Sequence, residues 1–240
     1  MTDEKAMRMR SRRSFLKAGV AALGGVSSFH WLRTRRDDDG VPWPLRRVLE
    51  TNEQLARDYF STSRLASTFP ESMAGLPREN GREGLSAGFD FRSWTLKLVS
   101  SVHPKRLELT LDDIRALPRV EMVTELHCIE GWSQVVHWTG ARLSALVGEA
   151  GADARYVGME TPDGGYYVGM DMASAVHPQT LLCYEMNGQE LTLEHGAPLR
   201  LATPVKYGIK NIKRIGTIHF TNTRPRDFWA EQGYDWYAGL

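Results

Sequence analysis

The sequence predicts an α+β fold. Three observations carry this: short runs of strand-forming residues alternate with short helical patterns, turn signals of the Pro-Asp-Gly and Asn-Gly type punctuate them, and there is neither an internal repeat nor a low-complexity tract. A chain of 240 residues suits one fairly large domain, or one domain with an N-terminal appendage. Its 42% hydrophobic and 25% charged content is ordinary for a globular protein.

Residues 1–36 form the appendage. They hold nine Lys or Arg and two Asp or Glu, net +7, whereas the remainder holds 21 basic and 27 acidic residues, net −6. The overall charge of +1 gives no reason to expect a nucleic-acid partner. Ser11-Arg-Arg-Ser-Phe-Leu-Lys17 is a twin-arginine motif, and an uncharged, glycine-rich stretch of 15 residues, Ala18 to Leu32, follows it. That order indicates a signal for the twin-arginine translocase and a periplasmic destination; a basic surface helix is the plainer alternative. The apolar stretch is shorter than the roughly 20 residues of a membrane span. Val26-Ser27-Ser28 would accept a peptidase, but no clean Ala-x-Ala site is present. Cleavage near residue 28 and retention as a weak membrane anchor are both open.

Asp37 to Pro44 combines charge, Gly and Pro and is expected to be a linker, leaving 45–240 as a single domain. Leu45, Val48, Leu49, Leu55, Tyr59 and Phe60 give a helical stripe over 45–60. Ser61 to Gly88, rich in Ser, Pro, Gly and Asn, predicts a long ordered loop. Trp94 to Val99 is a strand. Leu109 to Leu117 is a short helix with Thr110 and Asp113 spaced as a capping pair, closed by Pro118. Val120 to Ile129 is a strand, and Trp138 to Val147 is expected to be a helix with Leu143, Leu146 and Val147 inward. Residues 156–170 form a hairpin about Thr161-Pro-Asp-Gly-Gly165. A short helix over Met172 to Ala175 follows. Thr180 to Met186 is a strand turning at Asn187-Gly188, and Arg200 to Thr203 and Ile212 to Phe220 supply further strands.

The domain is organised around Glu125-Leu-His-Cys-Ile-Glu-Gly-Trp-Ser133. Cys128 stands where a strand meets a polar turn, held from behind and presented at its tip; an inert buried thiol is the alternative. The only other cysteine is Cys183, so there is no disulfide framework, and a Cys128 that ligates a metal cannot also pair with it. One cysteine is too few for zinc or an iron–sulfur cluster, so a metal at Cys128 needs most of its ligands from elsewhere. Arg200, Lys206, Lys210 and Lys213 form a second signal, interleaved with Gly196, Pro198, Pro204, Gly208 and Gly216. Glycine lets a ligand approach the backbone, arginine forks onto phosphate and lysine supplies a point charge. A solvated charged face accounts for the same residues equally well.

His127-Cys-Ile-Glu-Gly-Trp132, Gly196-Ala-Pro-Leu-Arg-Leu201, Lys206-Tyr-Gly-Ile-Lys-Asn-Ile-Lys213 and Phe228-Trp-Ala-Glu-Gln-Gly-Tyr234, in this order, resemble the catalytic domain of the sulfite oxidase family of molybdoenzymes, including its bacterial periplasmic methionine-sulfoxide reductase branch. The resemblance runs from about Asn52 to the C-terminus. It implies a sulfite oxidase-type molybdopterin-binding domain with mixed sheets and short helices. It also implies molybdenum ligated by Cys128, with the remaining ligands from molybdopterin (a pyranopterin dithiolene) and oxo or hydroxo groups. Lys210 and Lys213 are then expected at the terminal phosphate, Arg200 on the pterin or phosphate, and Tyr207 close by. Lys206 belongs to the same basic group and is its member best suited to a purely structural role. His127 either hydrogen-bonds the pterin or, as a strand neighbour of Cys128, points the other way. His137 and His195 are weaker candidates. Arg64 and Asn80 either touch the cofactor from the wrapping N-terminal loop or lie at the surface. Asp171 is a candidate partner for a backbone or pterin nitrogen. Glu130 and Trp132 shape the turn, and Trp229, Tyr234, Trp236 and Tyr237 either cap the core or dock a redox partner.

The activity so implied is oxygen-atom transfer on sulfite, a sulfoxide or another small substrate. No Cys-x-x-Cys-His haem motif is present, so electrons are expected from a cytochrome or membrane haem partner. The sequence ends soon after the cofactor domain, so the C-terminal dimerisation domain of classical sulfite oxidases is not expected; this weakens sulfite oxidation and leaves sulfoxide reduction open. Two rivals stand beside this reading: a metal-free binding protein on the same fold, and a thiol enzyme using Cys128 with His127 or His137 as base.

Overall fold

The computed structural model describes residues 3–38, 40–79, 81–103, 105–148 and 150–240. Helix α1, Asp3–Arg33, contains the twin-arginine stretch, and its side chains from Ser14 to Trp31 are all exposed. Among the described residues no helix is long and apolar enough to cross a membrane. The stretch expected to be a linker folds into a pair of two-residue strands, β1 (Asp37–Asp38) and β2 (Val41–Pro42). Helix α2, Trp43–Tyr59, starts there, with Pro44 in its first turn, where a missing N–H costs nothing.

Two five-stranded sheets build the body of the domain. The first contains β3 (Leu96–Ser100), β4 (Lys105–Leu109), β7 (Tyr156–Glu160), β8 (Tyr167–Asp171) and β12 (Thr217–Thr221), in the order β4-β3-β12-β7-β8. Its pairs are antiparallel except β3 with β12, which run parallel. The second contains β5 (Arg119–His127), β6 (Ser133–Arg142), β9 (Leu181–Met186), β10 (Gln189–Glu190) and β11 (Arg200–Ala202). Its order is β10-β9-β6-β5, with β11 also paired to β9. Short helices α3 (Leu111–Arg115), α4 (Ser144–Val147) and α5 (Met172–Ala175) link strands. The α+β class with mixed sheets and short helices is therefore the observed one.

Local chemistry accounts for the elements that were legible. Thr110 and Asp113 close a reciprocal capping box on α3, Thr110 Oγ1 accepting from the Asp113 N–H at 3.2 Å. Alternate residues Leu96, Leu98, Val157, Met159, Val168, Met170, Ile218 and Phe220 point into the main core. The long loop after α2 lies on β5, with the Phe69 N–H donating to Val123 O at 3.0 Å.

Two expectations are corrected. Trp138 to Val147 is not one helix: residues 133–142 are the central strand β6, paired with β5 on one side and β9 on the other, and only 144–147 are helical. Residues 135–141 are buried on both faces of the sheet, so their apolar run has no strand alternation to betray it. The strand expected over Ile212 to Phe220 is confined to Thr217–Thr221. Ile212 and Ile215 are buried instead by a non-strand segment that runs beside residues 199–201, through Leu201 N–H to Ile212 O and Ile215 N–H to Leu199 O, both 2.9 Å.

Candidate active site

The β5–β6 hairpin presents Cys128. The Cys128 N–H donates to Trp132 O at 2.9 Å and the Gly131 N–H to Cys128 O at 3.1 Å, closing a tight three-residue loop. Gly131 has φ +85°, the left-handed conformation this loop needs after its turn. Trp132 folds over the tip, its indole N–H on Glu130 Oε2 at 3.0 Å and the Arg78 guanidinium 5.6 Å from its ring centre. Behind the cysteine, a Cβ at position 208 would press on His127 O at 3.2 Å and lie 3.7 Å from Cys128 Cα; glycine there lets the 208–213 segment close against the hairpin.

Cys128 is half-buried and opens into a cleft of about 260 Å³. The hairpin contributes Leu126, Ile129 and Trp132, the basic block Arg200, Gly208, Ile209, Asn211 and Lys213, and the C-terminal segment Trp229 and Tyr234. Tyr166 closes the back, its hydroxyl donating to Ile209 O at 2.6 Å, and Gly81 and Glu83 of the long loop reach the rim.

Arg200 is buried on β11. Its Nη1 donates to His195 O at 3.0 Å and Nη2 to Asn211 O at 3.4 Å, and the guanidinium lies 4.8 Å from the Trp138 ring centre. These partners are carbonyl oxygens and a ring rather than a carboxylate, and burial pulls its pKa down to about 10. Lys213 Nζ donates to Gly81 O at 3.2 Å, and burial, then Arg200, push its pKa down to about 8. Arg200 Nε and His195 Nε2 are buried with no hydrogen-bond partner among the described residues. Burial and the nearby Arg200 and Lys213 lower the pKa of His195, favouring its neutral ring. A buried guanidinium, a half-buried ammonium and two orphaned nitrogens are the environment an anionic group would relieve.

The other expected residues lie elsewhere. Lys210 points into the core, where its buried ammonium pairs with Asp227 and donates to Gly169 O at 2.8 Å; it is turned away from any phosphate at the cleft. Lys206 is buried 2.9 Å from the Tyr237 ring centre. Tyr207 does not line the cleft; its carbonyl accepts from the Lys210 N–H at 2.9 Å and from the Asn211 side-chain amide at 3.3 Å. His127 Nε2 lies 3.6 Å from Glu125 Oε2, and the ring is not part of the cleft lining. His137 is buried between Glu71 and Glu121, at 3.2 and 3.3 Å. Asp171 accepts from the Ser174 N–H at 2.8 Å and caps α5. Arg64 is exposed over the Tyr59 ring, and Asn80 lies outside the described residues. Cys183 is a buried thiol on β9, its pKa raised to about 12 by desolvation. Among the described residues no group of three or more His, Cys, Asp or Glu could hold a metal ion.

Residues 84–229 match the family model described as the oxidoreductase molybdopterin binding domain. The chain belongs to that family. It is 36% identical over 245 residues, 98% of this chain and 90% of the other, to a protein of Azospira oryzae that carries the provisional name protein-methionine-sulfoxide reductase subunit YedZ1. It is 29% identical over 263 residues, 100% of this chain and 83% of the other, to the protein-methionine-sulfoxide reductase catalytic subunit MsrP of Campylobacter jejuni. The fold resembles the crystal structure of the sulfane dehydrogenase SoxCD from Paracoccus pantotrophus, at a TM-score of 0.52 and 18% identity, over 68% of this chain and 46% of that one. Family membership gives the chain an oxidoreductase-type enzymatic role of the molybdopterin-dependent kind in general.

The Arg200 end of the cleft also involves His195 and Asn211, which the sequence marks poorly, because an isolated polar residue carries no pattern. Their one signal is position, within or beside the two motifs that bear Arg200 and Lys213.

Proposed function

We propose that the chain is a periplasmic molybdenum–molybdopterin oxidoreductase, exported folded through the twin-arginine translocase, that transfers an oxygen atom at a molybdenum ligated by Cys128. The observation that supports it most is the shared cleft: a thiol at a rigid hairpin tip lines the same space as the buried Arg200 guanidinium and the half-buried Lys213 ammonium. Cys128 supplies one soft ligand, which suits a group that brings its other ligands with it. Arg200 and Lys213 would hold the pterin's terminal phosphate, and His195 and Asn211 stand beside Arg200 to complete that end. Bound there, the group supplies two-electron oxygen-atom transfer. Trp132, Trp229 and Tyr234 form the mouth and would exclude water from the reacting oxygen.

The names of the two relatives favour a sulfoxide as substrate: the sulfoxide, two protons and two electrons give the thioether and water. The electrons would come from a cytochrome or membrane haem partner. Elemental and pterin analysis of protein matured with its signal in a molybdenum-replete bacterial host tests the reading. About one molybdenum and one pterin per chain is expected. Reduction of a sulfoxide by a chemically reduced dye, without oxidation of sulfite, would favour the sulfoxide branch. Folded protein with neither metal nor pterin, in a host that loads another molybdoenzyme normally, would overturn the proposal and turn attention to Cys128 as a thiol nucleophile.

A further inference from the structure

The cleft mouth has two walls that are built differently. The β5–β6 hairpin fixes Trp132 through its own tight loop, whereas Trp229 and Tyr234 stand at the two ends of one short turn in the C-terminal segment. Trp229 O accepts from the Gln232 and Tyr234 N–H groups, both at 3.0 Å, around the 3-10 turn Ala230–Gln232, and the two rings meet edge to face with centres 5.3 Å apart. A second cavity, of about 320 Å³, borders the same turn at Ala230 and Glu231 and shares no lining residue with the Cys128 cleft among the described residues.

Arg46 of α2 lines that second cavity and is buried. Its guanidinium spreads over three main-chain carbonyls, Asp38 O at 3.2 Å, Ala230 O at 3.1 Å and Tyr234 O at 3.4 Å. Two of these carbonyls adjoin the mouth rings: Ala230 follows Trp229, and Tyr234 is itself a mouth residue. The cavity's other arginines pair with carboxylates, Arg224 with Glu53 at 2.7 Å and Arg226 with Glu231 at 2.6 Å. The β1–β2 turn lies on the same segment. A Cβ at position 40 would meet Glu231 O at 2.6 Å, and one at position 233 would meet Val41 Cγ1 at 2.6 Å, so glycine at both lets the two backbones close together.

We propose that Arg46 is a positioning residue for the cleft mouth: by holding the 229–234 turn it sets where Trp229 and Tyr234 stand, and so how tightly the mouth grips a sulfoxide. The planar fork of a guanidinium can hold several carbonyls at fixed separations, which an ammonium cannot. The second cavity gives the turn room to retreat once the fork is gone. Aromatic walls favour the methyl and sulfur part of the substrate, so a displaced wall weakens substrate binding rather than the two-electron step. The grip rests on the sulfoxide reading above; the hold on the turn does not.

Hydrogen exchange read by mass spectrometry, with steady-state kinetics of the loaded enzyme, tests this. In Arg46→Met the amides of residues 229–234 are expected to exchange roughly tenfold faster, while those of 125–133 keep their wild-type rates; a merely structural loss would speed both. With methionine sulfoxide and a reduced dye, KM should rise about fivefold while kcat stays within about twofold. Arg47→Met, beside it but exposed and paired with Glu50, should match the wild type in both measurements. If Arg46→Met does not fold, Arg46→Lys takes its place: it keeps the charge without the fork, and the same changes are expected at smaller size. Wild-type exchange over 229–234 in the folded variant, an equal rise over 125–133, or a fall in kcat at unchanged KM would each overturn the proposal. Exchange is read with or without metal. Faster exchange over 229–234 in a protein that carries no molybdenum or ignores sulfoxides would support the hold on the turn and overturn the sulfoxide reading alone.

Discussion

Arg200 and Lys213 differ from Lys206 and Lys210 in destination, although all four come from one block of 14 residues. The first pair lines the Cys128 cleft, where each donates to backbone carbonyl oxygen. The second pair is sealed in the core, Lys210 on Asp227 and Lys206 against the Tyr237 ring. The 3-10 turn Gly208–Lys210 ends with Lys210 facing inward, while Asn211 and Lys213 beyond it line the cleft. A cation beside a glycine thus has two physical solutions, an anion that arrives from outside or a carboxylate or ring already in the fold, and only the second is visible without a ligand.

Four substitutions test that division, from the largest effect downward. Cys128→Ser should reduce oxygen-atom transfer to background while costing no more than about 1 kcal/mol of stability, as chemical denaturation alongside the activity assay would show. Lys210→Met leaves the Asp227 carboxylate buried and unpaired and should cost about 3–5 kcal/mol; a loss below about 1 kcal/mol would place Lys210 with the cleft cations instead. Lys213→Met should do the reverse, lowering bound pterin several-fold while its unfolding free energy changes by less than about 1 kcal/mol.

Lys206→Met should give the smallest effect, and one that depends on pH. Burial holds the folded-state pKa of Lys206 at about 7, against an ordinary 10.5. Between those values the unfolded chain binds the proton that the folded chain has released, so this lysine's contribution to stability rises with pH. Its penalty is complete below about 7 and is relieved toward 10.5. Lys206→Met should therefore melt higher than wild type near neutrality, with the difference shrinking as pH rises. A difference that stays constant from pH 6 to about 10 would mean that Lys206 keeps its ordinary pKa and its own anion.

Much of the fold could be read locally. The α3 capping box, the hairpin over 156–170 and the Asn187-Gly188 turn each depend on residues within a few positions of one another, and each formed as expected. The β6 strand did not show, because a strand covered on both faces has no alternation, and Leu143, Leu146 and Val147 supplied a helical spacing that only the last turn uses. The stripe on α2 was legible as a helix, but not that Leu45, Val48, Leu55 and Tyr59 face outward while Leu49 and Phe60 turn toward the domain. Periodicity marks which residues share a face and is silent on what that face meets.

At the site, Cys128, Arg200 and Lys213, expected together, line one cleft, whereas Lys210, expected with them, is buried on the other side of its turn. By itself the sequence determined the element types, the turn that exposes Cys128 and the family motifs, because short-range sterics and hydrogen bonding dictate these within a few residues. Only the tertiary structure decided which cations face the cleft, that His195 and Asn211 join Arg200, and that Val48, Leu55 and Tyr59 of α2 face outward. Those outcomes depend on contacts such as Lys210 with Asp227 or Arg224 with Glu53, 17 and 171 residues apart, where a side chain's partner is set by the packing of whole elements.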